Sequence, residues 1–181
     1  MASSITHLRT NSVPMKKIIT VILFVLICSV GIAQSAKEFY NSANLKLDKG
    51  QYKEAIKDYD NSIELDKTFA AAYYNRAVAK NSIKDYEGAL ADYSKTIELN
   101  ATNVLAYNNR GLIKKTLNDY DGATHDYTKA IEIDSTYAPA WFNRGNIKVL
   151  IDQPELGCED FRKALDLGQN KALEYVAKYC K

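Results

Sequence analysis

Hydrophobic and polar positions recur along this chain with a period of 34 residues. The segments AKEFYNSANLKLDKGQYKEAIKDYDNSIELDKTF from Ala36, AAAYYNRAVAKNSIKDYEGALADYSKTIELNATN from Ala70, VLAYNNRGLIKKTLNDYDGATHDYTKAIEIDSTY from Val104 and APAWFNRGNIKVLIDQPELGCEDFRKALDLGQNK from Ala138 align without insertions. They define four tandem units at 36–69, 70–103, 104–137 and 138–171. A repeat of this length is one supersecondary unit that can bury its apolar face only by stacking on its neighbours. Small residues at the eighth and twentieth positions let the two helices of a unit, A and B, approach closely. Aromatics at the fourth and twenty-fourth positions fill the space between units. Thr68, Thr102, Thr136 and Asn170 precede each following helix A, where a side-chain oxygen can cap free N–H groups. Pro139 and Pro154 fall in first turns, where a missing N–H does no harm. The remnant 172–181, ALEYVAKYCK, reads as a lone helix A that caps the fourth unit.

A different pattern precedes the repeats. Ile18 to Ile32 is an uncharged apolar run, preceded by Lys16-Lys17 and followed by the small-x-small triplet Gly31-Ile32-Ala33. Residues 15–33 therefore read as a secretory signal peptide cleaved after Ala33, with Gln34 as the mature start. An uncleaved anchor over residues 18–33 is the competing reading; spanning a bilayer takes about 17 to 25 apolar residues, and this run is at or below that limit. Cys28 raises a lipidation option, but Ile27 before it is large and branched where a lipobox wants a small residue. Residues 1–14 read as an upstream extension, because Met15 begins a more typical leader than Met1.

The repeats resemble the tetratricopeptide family. The likeness rests on in-phase columns: Phe39, Tyr73, Tyr107 and Trp141 at the fourth position, Ala43, Ala77, Gly111 and Gly145 at the eighth, Ala55, Ala89, Ala123 and Gly157 at the twentieth. It continues with Tyr59, Tyr93, Tyr127 and Phe161 at the twenty-fourth and Ser62, Thr96, Ala130 and Ala164 at the twenty-seventh. One departure is the usual Pro near each unit's end, replaced by Lys67, Ala101, Ser135 and Gln169. The resemblance implies an all-α, right-handed α-solenoid of four helix-turn-helix units plus a C-terminal capping helix, nine helices in all.

Charge and composition narrow the chemistry. Twenty-four basic residues oppose 22 acidic ones, and Arg9, Lys16 and Lys17 lie in the leader, so from residue 34 onward the count is 21 against 22. Such a balance lacks the electrostatic footprint of a nucleic-acid binder. His7 belongs to the leader and His125 stands alone, so no metal cluster and no Ser-His-Asp arrangement can be assembled. Acid pairs such as Glu54 and Asp58 lie one turn apart on amphipathic helices, where a solvated face explains them. We expect no catalytic residues, no cofactor and no metal.

Two further columns carry charge. Arg76, Arg110 and Arg144 hold the seventh position, and Asp58, Asp92, Asp126 and Asp160 the twenty-third. If each Asp on a helix B meets the next helix A, the pairs are Asp58–Arg76, Asp92–Arg110, Asp126–Arg144 and, on the cap, Asp160–Lys178, an inter-repeat ladder. Lys46, Lys80, Lys114 and Lys148 at the eleventh position read as long side chains bordering a packed interface. Cys158 and Cys180 remain after cleavage, and in an exported protein a disulfide staple is the more natural reading than two buried thiols. Secreted repeat proteins of Bacteroidota look similar in carrying a Cys on the last helix B and a terminal Cys.

In the resembled family the second, fifth, sixth, ninth, twelfth and thirteenth positions face the concave groove. The sixth column here is Asn41, Asn75, Asn109 and Asn143; the fifth is Tyr40, Tyr74, Asn108 and Phe142; the ninth is Asn44, Val78, Leu112 and Asn146. Amides that donate and accept, beside aromatics, suit an extended segment or helix of another protein; the competing reading has each Asn bonding a neighbouring helix A. Chaperone-binding members grip a C-terminal carboxylate with Lys and Asn in the first unit, Asn in the second, and Lys and Arg in the third. Asn44 and Asn75 match, but Tyr40, Leu105 and Asn109 replace the cations, so that clamp is broken. The expected function is a non-catalytic protein-interaction adaptor, periplasmic or secreted, whose partner is a protein segment. The alternatives are an envelope assembly or chaperone-like factor, a membrane-tethered scaffold, and a glycan-binding accessory protein.

Overall fold

The computed structural model describes residues 34–180. The leader expectations, with residues 1–14, the segment 15–33 and Cys28, lie outside the described residues. Helix α1 occupies 34–48. It is followed by α2 Tyr52–Leu65, α3 Ala70–Ser82, α4 Tyr86–Leu99, α5 Val104–Thr116, α6 Tyr120–Ile133, α7 Ala138–Leu150, α8 Pro154–Asp166 and α9 Ala172–Tyr179. Among the described residues there is no strand, and each helix packs mainly on the helix before and after it. This is the α-solenoid of four helix pairs with a capping helix that the resemblance implied.

The turns explain the sharp boundaries. Between helices A and B of each unit, the fifteenth residue takes positive φ: Gly50 (72°), Lys84 (63°), Asn118 (62°) and Asp152 (60°). Asp85 and Asp119 then cap α4 and α6 by accepting from the Gly88 and Gly122 N–H groups at 3.0 and 2.9 Å. Pro154 and Pro139 sit in the first turns of α8 and α7.

The B-to-A turns differ from expectation. Thr68, Thr102 and Thr136 do not cap the following helix; each donates its N–H and hydroxyl to the Oδ1 two residues earlier, on Asp66, Asn100 and Asp134. They stand one residue too early to cap. The N-cap residues are Phe69, Asn103 and Tyr137, of which Asn103 alone accepts, from the Ala106 N–H at 2.9 Å. The last such turn, before α9, places Lys171 at the N-cap, so Asn170 is displaced likewise.

The core is a chain of small clusters rather than one mass, as stacked units require. Tyr59, Tyr93, Tyr127 and Phe161 are fully buried at the centres of the units. In the fourth unit the helices approach closely: a Cβ added to Gly145 would lie 2.9 Å from the Phe161 ring and 3.1 Å from the Gly157 carbonyl oxygen. Among the described residues no helix B precedes the first unit, and Phe39 is exposed while its equivalents Tyr73, Tyr107 and Trp141 are half-buried. At the other end α9 closes the stack. Tyr175 lies 5.0 Å from the Phe142 ring and 4.9 Å from Phe161, and a disulfide joins Cys158 on α8 to Cys180. No helix among the described residues is long and apolar enough to cross a membrane.

Candidate functional site

The face made by helices A is tied together by amides. Asn75 Nδ2 donates to the Tyr40 hydroxyl at 3.1 Å and to Asn44 Oδ1 at 2.9 Å, and Asn44 Oδ1 also accepts from the Tyr59 hydroxyl at 2.6 Å. Asn109 Nδ2 donates to the Tyr74 hydroxyl at 2.9 Å, and Asn143 Nδ2 to Asn108 Oδ1 at 2.9 Å. Sixth-column amides of α3, α5 and α7 thus each reach back to the fifth column of the preceding helix A. The column serves first as an inter-repeat staple, which is the competing reading of the sequence. Asn41, with no helix A before it among the described residues, is exposed.

Of the other residues assigned to the groove, Tyr40, Asn44, Tyr74, Asn75, Val78, Asn109, Asn143 and Asn146 are half-buried and Leu112 is exposed. Asn108 and Phe142 are corrections: both are buried, at 4% and 6% exposure. Asn108 bridges Asn109 and Asn143, and Phe142 is covered by Tyr175 of α9. Asn146 turns its amide onto the Phe142 carbonyl of its own helix at 2.9 Å.

Residues preceding helices A were missed. Phe69 packs on Tyr40 with ring centroids 4.8 Å apart, and Lys171 Nζ lies 5.7 Å from the Phe142 ring centre. In the first and fourth units the thirty-fourth position therefore meets the fifth of its own unit, a relation that the dissimilar column Phe69, Asn103, Tyr137 and Lys171 does not signal. Burial raises the Tyr74 phenol above its ordinary value, helped by the neighbouring Tyr137, and raises Tyr137 as well. Burial, with the nearby charge of Lys171, lowers the Lys115 ammonium.

The ion-pair ladder is real but differently wired. Asp58–Arg76, Asp92–Arg110, Asp126–Arg144 and Asp160–Lys178 are not the pairs formed. Arg76 grips Asp92 through Nε and Nη2 at 2.8 and 2.6 Å, Arg110 grips Asp126 at 2.9 and 2.7 Å, and Arg144 grips Asp160 at 2.9 and 2.8 Å, each within one unit. Lys80, Lys114 and Lys148 supply a second cation to the same carboxylates at 2.8, 2.9 and 2.9 Å. Asp58 takes Lys46 and the Ser42 hydroxyl instead. Burial would raise the Asp58 carboxyl, but these partners outweigh it and hold it low. Burial likewise opposes the charge of Arg76, and Asp92 and Asp60 outweigh it. Contact between units runs through the remaining guanidinium nitrogen, from Arg76 to Asp60, Arg110 to Ser94 and Arg144 to Thr128. Lys178 instead lies beside the Tyr179 ring.

His125 is exposed on α6, and no group of three His, Cys, Asp or Glu able to hold a metal stands together among the described residues. The arrangement can bind through amides, aromatics and exposed leucines.

No curated protein matches the chain at significant similarity. Among solved structures, MamA is similar at 25% identity and a TM-score of 0.72, over 76% of this chain and 81% of that one. PilF of Pseudomonas aeruginosa is similar in fold at 21% identity and a TM-score of 0.73, over 82% and 69%. The first such domain of Spaghetti (RPAP3), bound to the HSP90 peptide SRMEEVD, gives 25% identity and a TM-score of 0.64 over 66% and 95%. Family profiles described as TPR repeat or tetratricopeptide repeat match residues 43–82, 70–103 and 104–137, together more than half of the sequence. The chain belongs to the tetratricopeptide repeat family.

Proposed function

We propose that this protein is an exported, non-catalytic adaptor that holds a segment of another protein along its helix-A face. The face itself carries the reading. Amide rungs fix α1, α3, α5 and α7 in register, so the surface is formed before anything binds, and ordering cost on binding is small. Leu105 and Leu112, at groove columns of α5, remain exposed at 46% and 38% beside it, which gives a partner apolar area to bury. The Spaghetti domain, of similar fold, holds a peptide. Its manner of gripping need not carry over, since Tyr40, Leu105 and Asn109 stand where chaperone-binding members place cations.

Export rests on the leader pattern and is supported by a cysteine pair suited to an oxidising compartment. An intact mass beginning at Gln34 is the expected result, and retention of 18–33 would favour a tethered scaffold.

The binding claim is tested by crosslinking pull-down from the native host, comparing wild type with Leu105→Glu/Leu112→Glu. These side chains are exposed, so the variant should stay folded while losing apolar contact. Loss of the captured protein is expected. Equal capture by both forms would place binding elsewhere on the solenoid.

A further inference from the structure

The capping helix is fastened differently from the helices A before it. Each of α3, α5 and α7 is tied back by the amide at its sixth position, and the arginine at its seventh reaches the helix B of the preceding unit. Counted as the start of a fifth unit, α9 has Ala177 and Lys178 at these positions. Ala177 carries no amide, and Lys178 lies beside the Tyr179 ring of its own helix. Among the described residues no side-chain hydrogen bond or ion pair joins α9 to α7 or α8. What holds it is the contact of Tyr175 and Tyr179 with Phe142 and Phe161, together with the Cys158–Cys180 bond.

The helix so held is marginal by itself. It has eight residues, no side-chain cap at its N-terminus and one buried side chain, Ala172, while Leu173 and Ala177 are exposed. Isolated helices shorter than about 12 to 15 residues are barely stable in water. The disulfide closes a loop with a sequence separation of 22. Closing a loop of that size favours the docked arrangement about a hundredfold.

Docked α9 covers part of the helix-A face. Tyr40 and Tyr74, at the fifth position of their units, are half-buried, whereas Phe142 at the same position is buried beneath Tyr175, with ring centroids 5.0 Å apart. Lys171, at the start of α9, lies 5.7 Å from the same ring. Undocking α9 returns Phe142 to the accessibility of its column and uncovers Phe161 beside it, so the apolar part of the face extends into the fourth unit. Cys180 is half-buried and Cys158 buried, which leaves the Cys180 sulfur as the one open to attack.

We propose that α9 is a lid over the last part of the helix-A face, latched by Cys158–Cys180 and opened by a dithiol reductant. One thiolate of the reductant attacks Cys180 Sγ, the S–S bond breaks, and its electron pair leaves on Cys158 Sγ, which takes up a proton. The second thiolate then attacks the reductant's own sulfur in the mixed disulfide, Cys180 departs as a thiol, and the reductant is left as a disulfide. Two electrons have passed to the protein, and α9 has lost its covalent tie. The consequence for partner binding rests on the adaptor reading above; the movement of α9 does not.

The test is hydrogen exchange read by mass spectrometry on protein produced from the full chain, with and without dithiothreitol, and on Cys180→Ser. Fluorescence of the apolar dye anilinonaphthalene sulfonate is followed in parallel. In the reduced wild type and in the variant, amides of residues 176–180 should exchange about a hundredfold faster while those of α1 to α6 are unchanged, and dye fluorescence should rise. The reduced wild type carries no substitution, so it decides the matter if Cys180→Ser fails to fold. Unchanged protection of α9 after the bond is broken overturns the latch. Faster exchange through α7 and α8 as well overturns the lid in favour of a staple for the whole fourth unit. A disulfide that dithiothreitol leaves intact in the folded protein overturns the reductive opening. Neither readout needs a partner, so equal capture by wild type and Leu105→Glu/Leu112→Glu would remove the adaptor reading alone.

Discussion

Asp126→Asn removes the most buried charge in the ladder without removing volume. Its carboxylate is fully buried and is held by Arg110 at 2.9 and 2.7 Å and by Lys114 at 2.9 Å, so the amide leaves two cations facing a neutral group. Breaking a buried pair costs about 3–5 kcal/mol. Arg110 and Lys114 retain 16% and 22% exposure, which lets water reach them and places the cost near the lower end, about 3 kcal/mol. Asp58→Asn changes the same column in the first unit, where Lys46 is 34% exposed and the other partner is the neutral Ser42, and should cost about 1 kcal/mol. A double-mutant cycle then identifies the partner. Arg110 with Asp126 should couple by about 2 kcal/mol and Arg110 with Asp92 by less than about 0.5. Urea unfolding followed by far-ultraviolet circular dichroism at neutral pH measures all of these. Equal costs for Asp126 and Asp58, or stronger coupling of Arg110 to Asp92, would refute the wiring within units.

Tyr127 is buried with its hydroxyl unpartnered among the described residues, while Tyr59 donates to Asn44; Leu112 holds the position of Asn44 in the third unit. Tyr127→Phe should therefore leave stability unchanged or raise it, and Tyr59→Phe should lower it by about 1 kcal/mol, both read by urea unfolding. Gly145→Ala places a Cβ against a buried ring and a backbone oxygen that cannot move aside, and should cost about 1–3 kcal/mol by thermal unfolding despite alanine's better helix propensity. Burial raises the phenols of Tyr59, Tyr93 and Tyr127 well above the ordinary value. Folding therefore favours their protonated forms, a contribution complete below the unfolded value near 10 and lost as pH rises past it. An absorbance titration should show these three ionising only as the chain unfolds in alkali; smooth ionisation of all thirteen tyrosines in the folded protein would contradict this.

The fold was legible because a 34-residue period assigns every position a place, and aromatics at the fourth and twenty-fourth columns leave one way to stack. The wiring of charge was not. Unit one carries Ser42 where later units have Arg, and in the structure Ser42 bonds Asp58 of its own unit. Spacing alone allowed an Arg to face the Asp of its own helix B or of the one before. Phe142 and Asn108 looked like groove residues because their column is open in the family, and only the position of α9 and the bridging role of Asn108 bury them. The Asn column was visible as a pattern, but its donors turn toward the preceding helix, a direction no sequence column encodes.

The most direct measurement places a photoreactive amino acid at Leu112, exposed on α5 of the helix-A face, or at Leu156, exposed on α8, and irradiates the protein in its native host. Crosslinking to a discrete protein from position 112 and not from 156 is the result expected of an adaptor that binds along helices A. Crosslinks from 156 alone would contradict it.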